Sequence, residues 1–463
     1  MSVLSSRSSQ SSITSTSHMT STTSNAEDVR FEQWQESFFF PLYTEISRRG
    51  HLPKIIYIIQ MVILFLQEVG VTMWCGSSLL HTTKFYKVLY YFTDWNILRT
   101  DNFDNCVIQY SIGMGVFFFT NLFLIYVLFY YYHKRIFLDS QIIILRLLFY
   151  PILDILLPFY ACLVARSFVE ISSGVSNGLS ISFFVISIII FIISVIELRY
   201  CKQFSTNTPV IDRSLLGSWD DDFLFLTIFS ICYGSLLSTI LDMFPKWLHV
   251  AAIIGYIILV WYRIYMLYFV PMLRFFVNSI FLGICIMCNF NLLLSLIHLF
   301  VNSIPSYIYF VITLVTFIGG VIFSTFWFDK KKKKLLDVLS YKSIQQNDLN
   351  DQNVDKIAHE HFDQIVFSSA RDAISYIHVG VAFHADLLID ITFLRYLMIN
   401  YAETSIIFAI SKAASFFASD PQFLSYCLSI ITRIPDPTTA QNYLIYQIRR
   451  IHVIRQSSVS VDA

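Results

Sequence analysis

The fold of this chain is decided by residues 310–334, FVITLVTFIGGVIFSTFWFDKKKKK, where a long apolar run meets a block of charge. The apolar run ends at Phe328, and five consecutive lysines, Lys330 to Lys334, follow after a single aspartate. A bilayer span needs about 20 mostly apolar residues, and lysines beside a span favour its cytoplasmic side. The stretch therefore predicts a last transmembrane helix that leads into a cytoplasmic segment.

The composition of the whole chain also indicates a membrane protein. Of its 463 residues, 56% are hydrophobic and 14% are charged, whereas soluble domains carry about 25% charged residues. The first 50 residues contain no apolar core of a cleavable signal peptide. We therefore expect an integral membrane protein.

Eight stretches are long and apolar enough to cross a bilayer. They cover residues 55–75, 107–132, 142–165, 179–197, 223–243, 249–269, 275–300 and 306–328. The predicted fold class is all-α: a polytopic transmembrane helical bundle of about eight spans, followed by a cytoplasmic, solenoid-like helical module. Residues 80–95 are aromatic and semi-polar, and they predict an outer loop with an interfacial helix.

The distribution of Lys and Arg gives the orientation, because cytoplasmic loops carry the excess of basic residues. With the N-terminus inside, fifteen basic residues fall on the inner side and five on the outer side. The inner set is Arg48, Arg49, Lys54, Lys134, Arg135, Arg199, Lys202, Arg213, Arg263, Arg274 and Lys330 to Lys334, and the outer set is Lys84, Lys87, Arg99, Arg166 and Lys246. Both termini are therefore predicted to be cytoplasmic.

The chain divides into six predicted segments. Residues 1–30 are rich in Ser and Thr and predict a disordered tail, since they bury too little apolar surface to fold. Residues 31–54 are aromatic and then basic, which suits an interfacial helix or, equally well, a loop packed beneath the bundle. The transmembrane domain is assigned to 55–328, the basic run and polar linker to 329–353, the cytoplasmic helical module to 354–456 and a short tail to 457–463.

Apolar residues at helical spacing predict short helices throughout the module. Asp420-Pro421 and Asp436-Pro437 each predict a helix start, with the aspartate as N-cap and proline in the first turn. Tight turns between such helices are typical of a solenoid-like stack. The last helix, near 438–456, is either the edge of a finished domain or a connector to a further segment.

Arg146 and Asp154 are the candidate intramembrane polar residues, because charged groups in a span are costly and usually face a cavity or a partner. Two interpretations stay open. Either both side chains line a polar path, or Arg146 extends to the headgroups while Asp154 meets another helix near Pro151. Glu68 and Asp242 lie near span ends, where interfacial solvation accounts for them.

Four further groups of residues suggest a role. The lysines 330–334 form a lipid-facing basic anchor that either binds anionic lipids, at about 1 kcal/mol per charge, or only stops transfer. Asp220-Asp221-Asp222 suggests a metal site, but a solvated helix N-terminus is the better account. Cys75 and Cys106 fall at outer helix ends, where a disulfide is permitted. Cys285 and Cys288 lie in an apolar run and are expected to be packing thiols rather than zinc ligands.

Three short stretches resemble a known family. They are Glu36-Ser37-Phe38-Phe39-Phe40-Pro41-Leu42-Tyr43, Ile377-His378-Val379-Gly380-Val381-Ala382 and Tyr446-Gln447-Ile448-Arg449-Arg450-Ile451-His452-Val453-Ile454-Arg455-Gln456-Ser457-Ser458. They are similar to the N-terminal membrane region of large protist proteins related to the tiny macrocysts family. Many of those proteins carry PAS and adenylate or guanylate cyclase domains further on. The metal-binding and purine-reading residues of a cyclase have no counterpart here, so the resemblance implies a sensory module and not an enzyme.

The leading hypothesis is a non-enzymatic multispanning protein that acts in membrane sensing, signalling or scaffolding. Its expected partners are the lipid bilayer, anionic lipids, and a cytoplasmic signalling protein or a second copy of the chain. We expect no catalytic residue, cofactor, metal or nucleic-acid partner, and the resemblance implies the plasma membrane. The alternatives are a small-molecule or ion transporter or channel that uses the third span, and a piece of a longer protein whose missing domain does the work.

Overall fold

The computed structural model of the protein describes residues 33–50, 52–74, 103–172, 178–207, 216–240, 243–301, 305–339, 367–383, 385, 388, 391–401, 403–417 and 421–459. Within these ranges the chain is helical, and the one β-bridge joins Ser218 to Met272. Four predicted features lie outside them: the tail 1–30, the loop helix 80–95, the polar linker after residue 339, and Cys75.

The helices between residues 35 and 339 form the bundle. They are α1 (Phe40–Arg49), preceded by a π-helical turn at Gln35–Phe39, then α2 (Lys54–Trp74), α3 (Phe103–Lys134), α4 (Asp139–Leu147), a second π-helical turn at Leu148–Ile152, α5 (Leu153–Ser172), α6 (Gly178–Thr206), α7 (Asp221–Ile240), α8 (Lys246–Tyr268), α9 (Phe275–Phe300) and α10 (Ser306–Leu339). The C-terminal module contains α11 (Ala370–Phe383), α12 (Ile391–Asn400), α13 (Thr404–Phe417), α14 (Pro421–Ile431) and α15 (Thr439–Val459).

Eight helical segments among the described residues are long and apolar enough to cross a bilayer, which confirms the predicted all-α polytopic class. Three spans extend beyond their predicted limits. The last continues to Leu339 rather than ending near residue 328. The third is one segment, Asp139–Ser172, that widens into a π-helical turn around Pro151, whose ring nitrogen carries no hydrogen to donate. The fourth runs to Thr206 rather than ending near residue 197, and this extension carries Lys202 into the bundle.

The bundle is built around α2, α5 and α9, which are its most buried spans. Helix α2 packs against α5, α7 and α9, whereas α3, α6 and α10 direct most of their apolar side chains outward. Helices α9 and α10 approach most closely at Gly283 and Gly320, where a Cβ on Gly320 would lie 3.1 Å from the Cα of Gly283. Small residues at such crossings are typical of helix packing in membranes, and the outward apolar surface suits a lipid bilayer.

The segment before the first span was predicted to be either an interfacial helix or a loop packed beneath the bundle, and it combines features of both. It is helical, and Trp34 at its start is exposed. Its apolar face is not open to lipid, because Phe40, Leu42, Tyr43 and Ile46 are all buried. Helix α1 therefore lies beneath the bundle and packs against α4, α6 and α15.

The C-terminal module is organised around α13, which packs against each of the other four module helices. Helix α14 begins at the predicted Pro421. The predicted cap at Asp436 is wrong, because α15 begins at Thr439 and Thr438 is its cap. Thr438 Oγ1 accepts a hydrogen bond from Gln441 N at 3.3 Å, and Gln441 Oε1 accepts one from Thr438 N at 2.9 Å. This reciprocal arrangement is a capping box.

Candidate functional site

Asp154 lies in a buried ion pair between α5 and α6. Lys202 Nζ is 2.7 Å from Asp154 Oδ2, and Gln60 Nε2 of α2 donates to the same oxygen at 2.6 Å. All three side chains are almost completely buried. Of the two interpretations of Asp154, the structure therefore shows a partner on another helix. Asp154 lies two residues after the end of the π-helical turn around Pro151.

Arg146 reaches the same cluster through an aromatic ring. Its guanidinium carbon lies 4.1 Å from the ring centroid of Tyr150, and Lys202 Nζ lies 5.6 Å from that centroid. Arg146 is only 4% exposed, so of its two interpretations the extension to the headgroups does not hold. We refer to Gln60, Arg146, Tyr150, Asp154 and Lys202 together as the Asp154 cluster.

A second buried ion pair joins α2 to α8. Both guanidinium Nη atoms of Arg263 donate to the carboxylate of Glu68, with 3.2 Å between Nη2 and Oε2, and Nη1 also donates to Ser230 Oγ at 3.0 Å. Glu68 is 2% exposed, so its predicted interfacial solvation is wrong. Arg263 is fully buried and is not a loop charge. These residues form the Glu68 cluster.

Helix α2 connects the two clusters by a line of polar side chains. Between them, Gln67 Nε2 donates to the carbonyl of Ile155 at 3.1 Å. Beyond Glu68, Thr72 Oγ1 accepts from Asn291 Nδ2 at 3.3 Å. At 1.5 Å per residue, the twelve residues from Gln60 to Thr72 extend about 18 Å, against about 30 Å for a bilayer hydrocarbon core. These polar side chains, which we call the polar column, are spread over more than half of the bundle's depth, and the apolar residues 61–66 separate Gln60 from Gln67.

The C-terminal module packs on the end of the bundle nearest the Asp154 cluster. Lys412 Nζ of α13 donates to the carbonyl of Thr206, the last residue of α6, and Ser375 Oγ of α11 donates to the carbonyl of Phe269 at 3.0 Å. Thr206 follows Lys202 by one helical turn. The same helix end therefore holds the buried ion pair and the module.

A cavity of about 400 Å³ lies at this joint, between the bundle and the module. Its charged lining includes Arg199, Asp220, Asp221, Arg371 and Lys412. The remaining lining residues are Gln203, Asn207, Trp219, Phe269, Pro271, Ile374, Ser375, His378, Ser405, Phe408, Ala409, Thr438, Ala440, Gln441 and Leu444. Opposite charges and an aromatic wall within one small volume are typical of a ligand pocket.

Asp220, Lys412 and His378 are among the groups at the joint with shifted pKa values. Burial, together with the neighbouring carboxylates of Asp221 and Asp222, raises the pKa of Asp220 to about 6. Burial lowers the pKa of Lys412 to about 8, against the opposing attraction of Asp221. Burial and the Lys412 ammonium lower the pKa of His378 to about 3, so its ring is neutral at pH 7. That ring stacks on Trp219 with 4.9 Å between centroids.

The acidic run Asp220-Asp221-Asp222 forms the start of α7. Asp220 Oδ1 accepts from Asp222 N at 2.9 Å, which caps the helix. The three carboxylates are close enough to share a metal ion. However, Arg199 forms ion pairs with Asp221 and Asp222, and Arg371 with Asp220 at 3.8 Å. The run is therefore a helix N-terminus, as predicted. Its carboxylates pair with Arg199 and Arg371, whereas the prediction had them solvated by water.

The lysine run belongs to α10, which continues to Leu339. Lys331 Nζ donates to the carbonyl of Tyr268 and lies 3.8 Å from its ring centroid, and Lys332 Nζ lies 4.7 Å from the ring centroid of Phe383. These two lysines contact protein, so they are not lipid-facing. Lys330, Lys333 and Lys334 are exposed, as the predicted anchor requires.

The structure describes one of the two cysteine pairs named in the sequence analysis. Cys285 and Cys288 are completely buried in α9, in keeping with packing thiols. The pairing of Cys75 with Cys106 lies outside the described side chains.

Sequence reasoning missed Gln60, Glu68, Lys202, Arg263 and Lys412 as members of these sites. Lys202 was counted as a loop charge because its span was drawn too short. Arg263 was counted with the inner charges although it lies within the predicted span 249–269. One signal was available: Gln60, Gln67 and Glu68 recur at seven and eight residues in an apolar span, which places them on one face of α2.

No family model matches the sequence, and no curated protein or solved structure matches it either.

Proposed function

We propose that this integral membrane protein is a sensory or signalling module in which a change inside the bundle passes to the C-terminal module through the end of α6. The observation that carries the proposal is the position of Lys202 and Thr206 on adjacent turns of one helix. Lys202 holds the buried carboxylate of Asp154, and the carbonyl of Thr206 holds Lys412. A movement of α6 that breaks one contact displaces the other.

The cavity at the joint supplies a place for a small ligand to act on this contact. Lys412 and the carboxylates of Asp220 and Asp221 line the cavity. A zwitterionic molecule, or one with polar groups at both ends, would therefore match its charges. A ligand that pairs with Lys412 would compete with the Thr206 carbonyl and would free the module from α6. Such a ligand shifts the equilibrium only by its different affinity for the docked and released states.

The C-terminal module is proposed to face the cytoplasm. Of the fifteen basic residues on its side of the bundle, Lys202 and Arg263 lie in buried pairs, which leaves thirteen against five. The excess still favours a cytoplasmic module by the positive-inside rule. Val453 and Ile454 are exposed near the end of α15 and would contact a cytoplasmic signalling protein or a second copy of the chain. A plasma-membrane location rests on the family resemblance alone.

Hydrogen–deuterium exchange of the full-length protein in nanodiscs tests the coupling. The variant Lys202→Met breaks the ion pair in the bundle. We expect it to raise exchange in residues 403–417 of the module, where Lys412 contacts the carbonyl of Thr206. The matched control is Thr313→Val, which removes a buried hydrogen bond to Asn291 Oδ1 on the far side of the polar column. Unchanged exchange in 403–417 for Lys202→Met, or an equal rise for both variants, would overturn the proposal.

A transporter or channel is the second candidate function, and the polar column along α2 favours it. Ionisable residues within spans often form proton or ion relays. Asp154 Oδ1 has no hydrogen-bond partner among the described residues, so it has capacity for a proton or a cation. The variant Asp154→Asn keeps the shape and removes the charge, and this second function predicts that it abolishes ion or proton flux into proteoliposomes. An unchanged flux, or no flux in the wild type, would exclude it.

A further inference from the structure

A second cavity lies where α1, the end of α3 and α15 meet, and it is separate from the joint beneath α11 and α13. Its volume is about 280 Å³. Three arginines line it, each from a different element: Arg49 from α1, Arg135 after α3, and Arg450 from α15. The other lining residues are Pro41, Glu45, Tyr131, Ile136, Phe137 and Tyr446.

The three arginines are only partly neutralised by the protein. Glu45 is 2.7 Å from Arg49 Nε and 4.0 Å from Arg450 Nη2, and Asp139 is 3.4 Å from Arg49 Nη1. Arg135 lies over the rings of Tyr131 and Tyr132, and no carboxylate among the described residues forms an ion pair with it. Three guanidinium groups and one carboxylate, that of Glu45, therefore line the cavity, which favours an anion.

The backbone conformation of Arg135 also indicates a binding role for this residue. Its φ is 55°, in the left-handed region, at the position after a helix where glycine is usual. Arginine is sterically unfavourable there, and such outliers cluster at binding sites. Arg135 N donates to the carbonyl of Tyr131 at 2.8 Å, so the turn that ends α3 holds the arginine at the cavity rim.

The cavity lies where a span leaves the bilayer. Helix α3 is a candidate span that ends at Lys134, one residue before Arg135. Ile136 lines the cavity and is 57% exposed, and the neighbouring Tyr132 and Leu138 are also exposed. The arginine-lined cavity thus lies beside an exposed apolar surface. A ligand with an anionic head and apolar tails could contact both.

We propose that this cavity binds the phosphorylated headgroup of an anionic membrane lipid. A phosphate monoester carries close to two negative charges and accepts paired hydrogen bonds from guanidinium groups. The volume is enough for a headgroup and too small for acyl chains, which would lie along the exposed apolar rim. The headgroup would tie α15 to α1 and α3, at a site that does not depend on the function proposed above.

Binding of a fluorescent short-chain phosphatidylinositol phosphate to the detergent-solubilised full-length protein, read as anisotropy, tests the proposal. We expect Arg135→Gln and Arg450→Gln each to weaken binding by about tenfold, since each removes charged hydrogen bonds to phosphate. Arg450→Lys keeps the charge, loses the paired geometry and should fall between these variants and the wild type. Arg449→Gln is the matched control, because Arg449 is the exposed neighbour of Arg450 and does not line the cavity.

Two further arms separate the possible sources of binding. Lys333→Gln tests the exposed lysine run, and unlabelled phosphatidylserine, inositol phosphate and inorganic phosphate serve as competitors. The proposal expects Lys333→Gln to bind as the wild type does and unlabelled phosphatidylinositol phosphate to compete best. It is overturned if Arg449→Gln or Lys333→Gln weakens binding as much as Arg135→Gln does. It is also overturned if phosphatidylserine or either soluble phosphate competes as well as the phosphorylated lipid. Melting temperatures close to that of the wild type show that the variants are folded.

Discussion

Replacing Lys202 by methionine should destabilise the bundle more than any exposed lysine change. Lys202 Nζ is 2.7 Å from Asp154 Oδ2, and both side chains are less than 5% exposed. Methionine keeps most of the volume and removes the ammonium. The carboxylate of Asp154 is then left in the interior with Gln60 as its remaining hydrogen-bond donor.

The size of the effect follows from the burial of the pair. Removing one partner of a buried ion pair costs about 3–5 kcal/mol, because the other charge is left uncompensated. Replacing both partners by apolar residues of similar volume is often neutral. We therefore expect Lys202→Met to lose about 3 kcal/mol or more, and Lys202→Met/Asp154→Leu to recover most of that loss.

Thermal unfolding of the purified full-length protein in one detergent measures these differences. The shift is about 2–4 °C per kcal/mol for a domain of 150–250 residues and smaller for a longer chain, so the single variant should melt a few degrees below the wild type. Lys333→Met is the control, because Lys333 is exposed on α10. A single variant as stable as the control would refute the reasoning, and so would a double variant whose loss equals the sum of the two single losses.

Three other perturbations test other parts of the structure. Burial lowers the pKa of His378 to about 3 in the folded protein, against an ordinary value of 6.5. Between these values the unfolded protein binds one more proton, so the free energy of unfolding falls as the pH drops from 6.5 to 3. Asp220, with its pKa raised to about 6, has the opposite effect on the free energy of unfolding. His378→Phe should therefore be less sensitive than the wild type to pH between 6.5 and 3 in chemical unfolding. An identical pH profile for the two proteins would count against a neutral His378 ring. Gly234→Ala should cost about 1–3 kcal/mol by overpacking, since its Cβ would lie 1.9 Å from a side-chain atom of α2, whereas Gly115→Ala meets nothing within 4 Å and should not destabilise; equal melting temperatures would contradict the close crossing. Thr438→Ala should lose about 1 kcal/mol by removing the cap of α15, a loss that an unchanged urea midpoint would exclude.

The architecture was largely predictable because lipid imposes simple rules. Eight long apolar runs predicted eight spans, since a bilayer forces each crossing segment to be helical and about 20 residues long. The helices of the C-terminal module were also predictable, from their 3.6-residue period. Where α15 starts was not, because Asp436-Pro437 and the Thr438 capping box are two helix-start signals only two residues apart.

The candidate site was harder to predict, because its partners are far apart in the sequence. Asp154 was identified from its cost in a span, yet Lys202 was assigned to a loop, since a basic residue after an apolar run usually marks the membrane surface. Whether a charge near a span end is solvated or paired depends on helix packing. Glu68 and Arg263 lie 195 residues apart and meet only when α2 packs near α8.

The most direct test of the account is a double-mutant cycle between Lys202 and Lys412. Lys202 Nζ pairs with Asp154 inside the bundle, whereas Lys412 Nζ of the module contacts the carbonyl of Thr206 at the end of α6. Lys202→Met, Lys412→Met and the double variant are measured by unfolding of the full-length protein. If the end of α6 couples them, the interaction energy should be at least about 0.5 kcal/mol. Losses that add to within the experimental error would contradict a relay through α6.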